Sequence, residues 1–317
     1  MHGQMASRRP DFNSSVSSLF FCPTAGILTH DYRCSMAVVS QHNANNIISS
    51  LVQLRKGTED APLFLFSGGD GNPHGLTALA SRMRNIRTMI GVDFCRRDSH
   101  GQLPPTVEIM ADRSCSAIRT LQPRGPYHIV GYSLGGLVAI EVARLLQESG
   151  EEIALLGLID TLFDHRFWPM RIFLRSQARL IRRHLSILLQ LPLNQMIPML
   201  FDRSQRLFFR FVRRQMPSPL TISTPKVETA TAIKQHCITA MSNYRPKYYA
   251  GKITFLNADN HDDYGCDPAE LWQGMATEIE CWTISGTHVG IVTNNASLTD
   301  LAAALDSKLE EPNTIVA

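Results

Sequence analysis

The stretch that decides the fold is Tyr127-His-Ile-Val-Gly-Tyr-Ser-Leu-Gly-Gly136. Its apolar first half predicts a strand, and a helical pattern follows from Leu137 to Gln147, so Gly131-Tyr-Ser-Leu-Gly135 must form a sharp turn between them. Glycine suits both ends of such a turn because neighbouring backbone leaves no room for a Cβ. The pattern predicts that Ser133 is an exposed nucleophile at a helix N-terminus, where the amide of Leu134 can stabilise an oxyanion. The alternative is a purely structural turn.

Strands and helices alternate on both sides of this turn. Further strands are predicted at Pro62–Phe66, Thr88–Phe94, Ile153–Ile159 and Glu278–Ile284, and helices at Thr77–Arg84, Thr106–Leu121 and Leu298–Leu309. Several of the strands are apolar throughout, which is typical of parallel strands covered on both faces. The sequence therefore predicts an α/β fold with a mostly parallel, doubly wound sheet.

Composition excludes several classes of protein. The 317 residues are 44% hydrophobic and 19% charged, as in an ordinary globular protein, and no apolar run approaches the roughly 20 residues of a membrane span. A net charge of +3 is too small to indicate a nucleic-acid partner. The seven cysteines are odd in number and lack CxxC spacing, so we expect reduced, mostly buried thiols in a cytoplasmic protein, and no metal site.

The two ends of the chain differ from its centre. Residues 1–50 are polar and aperiodic, which predicts a disordered extension or, alternatively, translation starting at Met36. A signal peptide at Arg8-Arg9 and Leu19-Phe-Phe-Cys-Pro is disfavoured because the apolar patch is short and contains a proline. We expect a domain over residues 51–312, followed by a tail at 313–317.

Two downstream residues complete a candidate catalytic triad with Ser133. Asp160 ends the strand Ile153–Ile159, and parallel strands bring their carboxyl ends to the same sheet edge. His288 lies in a glycine-bearing loop after a later strand. Taken singly, Asp160 would be interpreted as the cap of a helix starting at Thr161, and His288 as an ordinary surface residue. The order Ser, Asp, His, each after a strand, is that of α/β-hydrolases and favours the triad.

At this point the sequence resembles the thioesterase domains that end polyketide and non-ribosomal peptide assembly lines. The resemblance rests on Gln122-Pro-Arg-Gly-Pro-Tyr ahead of the turn, Leu158-Ile-Asp-Thr161, Tyr244-Arg-Pro-Lys-Tyr-Tyr-Ala-Gly-Lys-Ile-Thr-Phe255 and Gly286-Thr-His288. It implies an α/β-hydrolase fold over roughly Leu51 to Leu309, a Ser-His-Asp thioesterase, and a carrier protein with a phosphopantetheine arm as partner.

Two site residues remain open within this resemblance. The family usually has His-x-x-Gly-Gly after its first apolar strand, where the second oxyanion donor lies, whereas this chain has Ser67-Gly-Gly-Asp-Gly71. The amides of Gly69 and Asp70 are the leading candidates for that donor. The triad acid is expected at Asp160, with Asp259 as the alternative because some stand-alone members place the acid after the following strand.

Strand and helix stop alternating after Asp160. Residues 161–217 contain eleven arginines, no lysine and two acids, a net charge of +9. Two helical patterns place ten of these arginines on one face each: first Arg171, Arg175, Arg179, Arg182 and Arg183, then Arg203, Arg206, Arg210, Arg213 and Arg214. The insertion, about 161–225, resembles the helical lid of the thioesterases. So much uncompensated charge predicts an anionic partner, either an acidic carrier protein or, less favoured, an anionic membrane surface, rather than a merely solvated face.

These residues predict acyl transfer through an acyl-enzyme on Ser133, without a metal or organic cofactor. His288 would act as the base and Asp160 would orient it. A carboxylester hydrolase or lipase is the alternative, because it would use the same triad without a carrier. A non-catalytic docking protein is the third class, and the intact triad argues against it.

Overall fold

A computed structural model of the chain describes residues 50–69, 71–190, 230–261 and 265–311. The predicted N-terminal extension up to residue 49, the candidate donor Asp70, the second arginine set and the tail at 313–317 lie outside the described residues. Of the predicted lid, residues 161–190 are described.

The described residues form a seven-stranded sheet. Its strands are β1 Leu51–Arg55, β2 Glu59–Phe66, β3 Arg87–Val92, β4 Tyr127–Tyr132, β5 Ile153–Ile159, β6 Tyr249–Asn260 and β7 Ala276–Thr287, in the order β1-β3-β2-β4-β5-β6-β7. β1 runs antiparallel to β3, and the other neighbouring pairs are parallel. The predicted doubly wound, mostly parallel sheet is confirmed. β1 was not predicted, because a five-residue edge strand with mostly half-buried residues carries little hydrophobic pattern.

Helices connect the strands. They are α1 Thr77–Arg82, α2 Val107–Leu121, α3 Leu134–Glu148, α4 Met170–Gln190, α5 Ala230–Asn243, α6 Pro268–Trp272, α7 Gly290–Thr293 and α8 Asn295–Glu310. Polar caps start three of them: the side-chain oxygens of Thr106, Asp267 and Asn294 accept hydrogen bonds from Ile109 N, Ala269 N and Ala296 N. No helix in the described ranges is long and apolar enough to cross a membrane.

Alternating residues of the central strands build two cores, one on each face of the sheet. Along β2, Phe64 and Phe66 belong to the cluster beneath α2 and α3, whereas Leu63 and Leu65 belong to the cluster beneath α1 and α8. All four side chains are at most 1% exposed. Burying each contributes about 1.5–3 kcal/mol, so the sheet is held firmly between its helices and can position residues at its edge.

Several predicted boundaries are wrong by a few residues. The first helix ends at Arg82 because the next residue, Met83, is extended, with φ −62° and ψ 140°. Helix α3, which follows the sharp turn, begins at Leu134 rather than Leu137, since Gly135 and Gly136 pack as helical residues against neighbouring segments. The alternative in which Asp160 caps a helix starting at Thr161 is not seen, because a short 3-10 turn at His165–Phe167 precedes α4.

Two of the cysteines, all of which we expect to be reduced thiols, have their sulfur atoms side by side in the structure. They belong to Cys95, which follows β3, and Cys237 in α5, whose Cα atoms are 7.4 Å apart. Cys115, Cys266 and Cys281 are free. The pair is 142 residues apart in sequence, and only the packing of α5 beside the end of β3 brings it together. The redox state of the cysteines and the cytoplasmic location both stay predictions.

Candidate active site

Ser133 lies at the apex of the turn between β4 and α3. Its φ of 54° and ψ of −121° are strained for a residue with a side chain, at a cost of about 1–3 kcal/mol. The flanking glycines make the turn sterically feasible: a Cβ on Gly131 would lie 2.5 Å from Gly135 O, and one on Gly135 would lie 2.1 Å from Ser67 O. The sharp turn predicted from the sequence is present, and it holds the serine where the sheet edge opens.

Asp160 follows β5 on the same edge of the sheet and is fully buried. It too has a positive φ, 42°, which its surroundings impose: Asp160 N donates to Leu256 O over 2.9 Å, and Ala258 N donates to Asp160 Oδ1 over 3.3 Å. Both partners belong to β6. The neighbouring strand thus holds the carboxylate in a single orientation.

His288 follows β7 and joins the other two. Its Nε2 lies 3.0 Å from Ser133 Oγ, and its Nδ1 lies 2.6 Å from Asp160 Oδ2. An ionised carboxylate can only accept, so Nδ1 carries the proton in this arrangement and Nε2 is free to accept the serine proton. The structure therefore brings the three predicted triad residues into one hydrogen-bonded chain.

Asp259, the alternative acid, has a different partner. Its Oδ1 accepts a hydrogen bond of 2.8 Å from Gly286 N, which links β6 to β7 just before the histidine loop. The contact shapes the backbone that leads to His288. It does not require a charged side chain, because an asparagine oxygen could accept the same hydrogen bond.

A cavity of about 380 Å³ opens at Ser133 and His288. Gly68 and Gly69, from the loop after β2, form one wall, and a Cβ on Gly68 would lie 3.1 Å from Ser133 Cβ. The loop backbone therefore approaches the candidate nucleophile closely, as an oxyanion donor must. Leu134, the first residue of α3, lines the same cavity. Of the three predicted oxyanion residues, Leu134 and Gly69 are thus at the cavity, and Asp70 lies outside the described residues.

Tyr132 is a site residue that the sequence analysis missed. Its ring stacks against the His288 imidazole with centroids 5.1 Å apart, and its hydroxyl donates to His288 O over 2.8 Å. Burial, with a smaller contribution from the negative charge of Asp160, raises the pKa of Tyr132 well above its usual value, so the hydroxyl stays a donor. Its place directly before the nucleophile was the available signal.

Helix α5 supplies a second missed wall, formed by Lys234, Ile238 and Met241. These residues line the same cavity as Gly68 and Gly69. Their spacing of four and three residues places them on one helical face. No function was predicted for this helix, because the sequence pattern of a helical face does not indicate which cavity the face borders.

The five arginines of the first predicted set all lie on α4 and are exposed: Arg171, Arg175, Arg179, Arg182 and Arg183. Arg175 is not uncompensated as predicted, because it forms an ion pair with Glu270 of α6. Large apolar side chains are exposed on the same helix, among them Met170, Leu174, Ile181 and Leu185, each more than half exposed. The helix therefore presents a mixed basic and apolar surface.

Comparison with protein families gives one match over most of the chain. The family described as "Thioesterase domain" matches residues 61–309, which include every residue of the site described above.

Among the described residues, no group of three or more His, Cys, Asp or Glu side chains is placed to hold a metal ion.

Curated relatives are much longer than this chain. A dimodular nonribosomal peptide synthase of Bacillus subtilis (strain 168) is 31% identical over 157 residues, which are 50% of this chain and 6% of the relative. A microperfuranone synthase of Emericella nidulans is 33% identical over 151 residues, 48% of this chain and 16% of the relative. The chain therefore resembles one part of large synthases.

Solved structures share the fold. The NocB thioesterase domain, crystallised as a covalent complex with a fluorophosphonate nocardicin G analogue, aligns with a TM-score of 0.53 at 20% identity, covering 80% of this chain and 96% of that one. The RedJ thioesterase of the prodiginine pathway in Streptomyces coelicolor aligns with a TM-score of 0.51 at 16% identity, covering 79% of this chain and 91% of that one. These likenesses confirm the predicted α/β-hydrolase fold.

Proposed function

Because the chain belongs to the thioesterase-domain family and is thus a thioester hydrolase of the serine type, we propose that it releases an acyl or peptidyl chain from the phosphopantetheine thioester of a carrier protein. Ser133 is the nucleophile, His288 the general base, and Asp160 the residue that orients the histidine. The observation that carries this proposal is the chain of two hydrogen bonds, 3.0 Å from Ser133 Oγ to His288 Nε2 and 2.6 Å from His288 Nδ1 to Asp160 Oδ2.

Acylation follows from this geometry. His288 Nε2 accepts the Ser133 proton as Oγ attacks the thioester carbonyl, and the buried Asp160 carboxylate stabilises the imidazolium that forms. The oxyanion is stabilised by the amides of Leu134 and the Gly69/Asp70 loop. His288 then returns the proton to the departing thiol. This completes a serine ester on Ser133.

Deacylation uses the same groups in reverse. Either water or a nucleophile on the acyl chain itself gives its proton to His288 and attacks the serine ester. The first path releases an acid, and the second releases a ring. Both leave Ser133 and His288 as they began, so the proposed cycle consumes no cofactor.

The carrier protein is proposed to dock on α4. The curated relatives named above are synthases, one of them for non-ribosomal peptides, and this supports an origin in the same kind of biosynthesis. Exposed arginines beside exposed apolar side chains suit a partner with an acidic, partly apolar surface. Such a partner would meet Arg171, Arg175, Arg179, Arg182 and Arg183. Arg175 would then share its charge between the carrier and Glu270.

The proposal is tested by comparing kcat/KM on three substrates with the same acyl group: an acyl-loaded carrier protein, a small free thioester and an oxygen ester. We expect kcat/KM to decrease from the carrier thioester to the free thioester to the oxygen ester. The carrier adds binding energy, and the thiol is a better leaving group than the alcohol. A fluorophosphonate should label the wild-type protein and fail to label Ser133→Ala. The matched control is Ser81→Ala, in α1, which should be labelled normally.

Two results would contradict the proposal. Preference for the oxygen ester would make the protein a carboxylester hydrolase. Labelling of Ser133→Ala at the wild-type rate would place the nucleophile elsewhere.

A further inference from the structure

Helix α5 is held against the rest of the domain along one face. Cys237 is buried beside the buried Cys95, and His236 Nε2 donates to Pro104 O over 3.0 Å. Just beyond the helix, the buried Tyr244 hydroxyl donates to Glu141 Oε2 over 3.1 Å. These contacts fix both the position and the rotation of α5. The side chains on the neighbouring face of α5 therefore have defined positions.

That neighbouring face carries Lys234, Ile238 and Met241, which border the same cavity as Ser133 and His288. Ile238 and Met241 are apolar and suit the hydrocarbon part of an acyl chain. Lys234 lies one turn of helix before Ile238, so its ammonium stands at one end of the apolar stripe. The wall thus changes from apolar to cationic along its length.

The rest of the described cavity lining offers little to balance this charge. It consists of glycines, the hydroxyl residues Ser67 and Ser133, Tyr132, Leu134 and the histidine. Lys234 is exposed and borders a small cavity otherwise lined by uncharged or apolar groups, so its ammonium can attract an anion that enters the cavity. We infer that Lys234 binds a carboxylate carried by the acyl chain, which makes it a specificity-determining residue for acidic acyl groups. This inference rests on the proposed function, whose site it deepens.

The acyl chain is the favoured source of the anion for a geometric reason. A phosphopantetheine arm also carries a negative group, but the whole length of the arm separates its phosphate from the sulfur. Lys234 borders the same cavity of about 380 Å³ as Ser133, where the thioester carbonyl must lie. A carboxylate on the acyl chain near the thioester matches this short distance between Lys234 and the thioester carbonyl.

The test uses the N-acetylcysteamine thioesters of adipic acid and heptanoic acid, which match in length and differ in a terminal carboxylate. We expect the wild-type ratio of kcat/KM, adipoyl over heptanoyl, to fall about 5-fold in Lys234→Met, the upper range for a solvent-exposed ion pair. Lys234→Arg should keep most of the ratio, and Lys234→Glu should lower it further. The wild-type ratio should also decrease as salt is raised.

A double variant separates a local contact from the overall charge. Lys234→Met with Gln235→Lys keeps the net charge but moves the ammonium about 100° around the helix, away from the cavity. We expect the kcat/KM ratio, adipoyl over heptanoyl, to be as low in this double variant as in Lys234→Met. Its recovery in this double variant would overturn the inference, since the protein's general field would then be sufficient.

A third comparison tests the phosphate as the source. Heptanoyl-pantetheine and heptanoyl-phosphopantetheine differ only in the phosphate group. We expect Lys234→Met to leave their ratio as in the wild type, and a changed ratio here with no change for adipoyl would overturn the inference. Failure of the proposed function itself would be distinguishable, because heptanoyl thioester would then be cleaved equally by wild type and Ser133→Ala.

Discussion

At the scale of single residues, the site depends on two strained positions. Ser133 and Asp160 both have positive φ, 54° and 42°, although neither is a glycine. Such conformations persist only where the surroundings over-determine them. Tight glycine packing does this for Ser133, and the hydrogen bonds from Asp160 N and Ala258 N do it for Asp160. In both cases the strain aims a side chain at His288.

Asp160→Asn should lower kcat by orders of magnitude, about 10⁴-fold where the same change was made in another Ser-His-Asp triad. Asparagine fits the site but can present an N–H to His288 Nδ1, which favours the wrong imidazole tautomer. The measurement is steady-state hydrolysis of a free thioester. Circular dichroism at equal concentration checks that the fold is kept.

The matched control is Asp259→Asn. Because asparagine Oδ1 can still accept from Gly286 N, we expect kcat within a few-fold of the wild type. If instead Asp259→Asn were the inactive variant and Asp160→Asn the active one, the triad acid would belong at the end of β6.

At the scale of elements, β4 carries a buried histidine that the chemistry does not use. His128 pairs in register with Leu63 of β2 and Leu155 of β5, and it is 6% exposed. Burial, with a smaller contribution from the positive charge of Arg87, lowers the pKa of His128 to about 4. The strand thus holds a neutral imidazole where a charged one would be costly.

This histidine should make the protein less stable in mild acid. An unfolded histidine has a pKa of about 6.5, so as pH falls below that value the unfolded state binds a proton and the folded state does not, until pH reaches about 4. The free energy of unfolding should drop by about 2 kcal/mol between pH 7.5 and 5.0 from this group alone. Urea unfolding at the two pH values measures it.

The variant His128→Leu should remove that part of the acid loss, since its side chain does not titrate. His100→Gln, at an exposed position, is the control and should keep the wild-type difference. An acid loss as large in His128→Leu as in the wild type would show that other groups cause it.

At the scale of the whole molecule, charge is divided unevenly. Residues 161–217 have a net charge of +9 in a chain of net charge +3, so the remainder is negative. Among the residues that the structure describes, five arginines of this positive segment lie on α4. A field of this kind acts on a charged partner before contact and mainly raises the association rate.

Reversing Arg171, Arg179 and Arg182 to Glu should therefore raise KM for an acyl-carrier substrate at least several-fold while a small free thioester is affected little. Arg175 is left in place because it is paired with Glu270. The wild-type rate on carrier should also fall between low and physiological salt, where screening acts over about 8–10 Å. Steady-state kinetics on both substrates measure these effects.

An equal loss on the carrier-bound and free thioesters would contradict the docking role and would mean that these arginines hold the lid together. Loss of binding to anionic vesicles with carrier turnover intact would indicate the membrane alternative instead.

The sequence by itself determined the features that arise from local physics. The glycines around Ser133 predict a sharp turn because no larger residue fits there, and apolar runs between helical patterns predict a parallel sheet. The order of Ser133, Asp160 and His288 along the chain also suffices to place them at one sheet edge, since the carboxyl ends of parallel strands meet there.

Only the tertiary structure decided the features that depend on distant segments. The approach of Gly68 to Ser133, the placement of Cys95 beside Cys237, and the Lys234 wall each join parts of the chain that share no local pattern. The partner of Asp259 was likewise undecidable from the sequence, because two acids near one sheet edge look alike until backbone hydrogen bonds orient them. Such contacts arise when the core packs, and packing is a property of the whole chain rather than of any stretch of it.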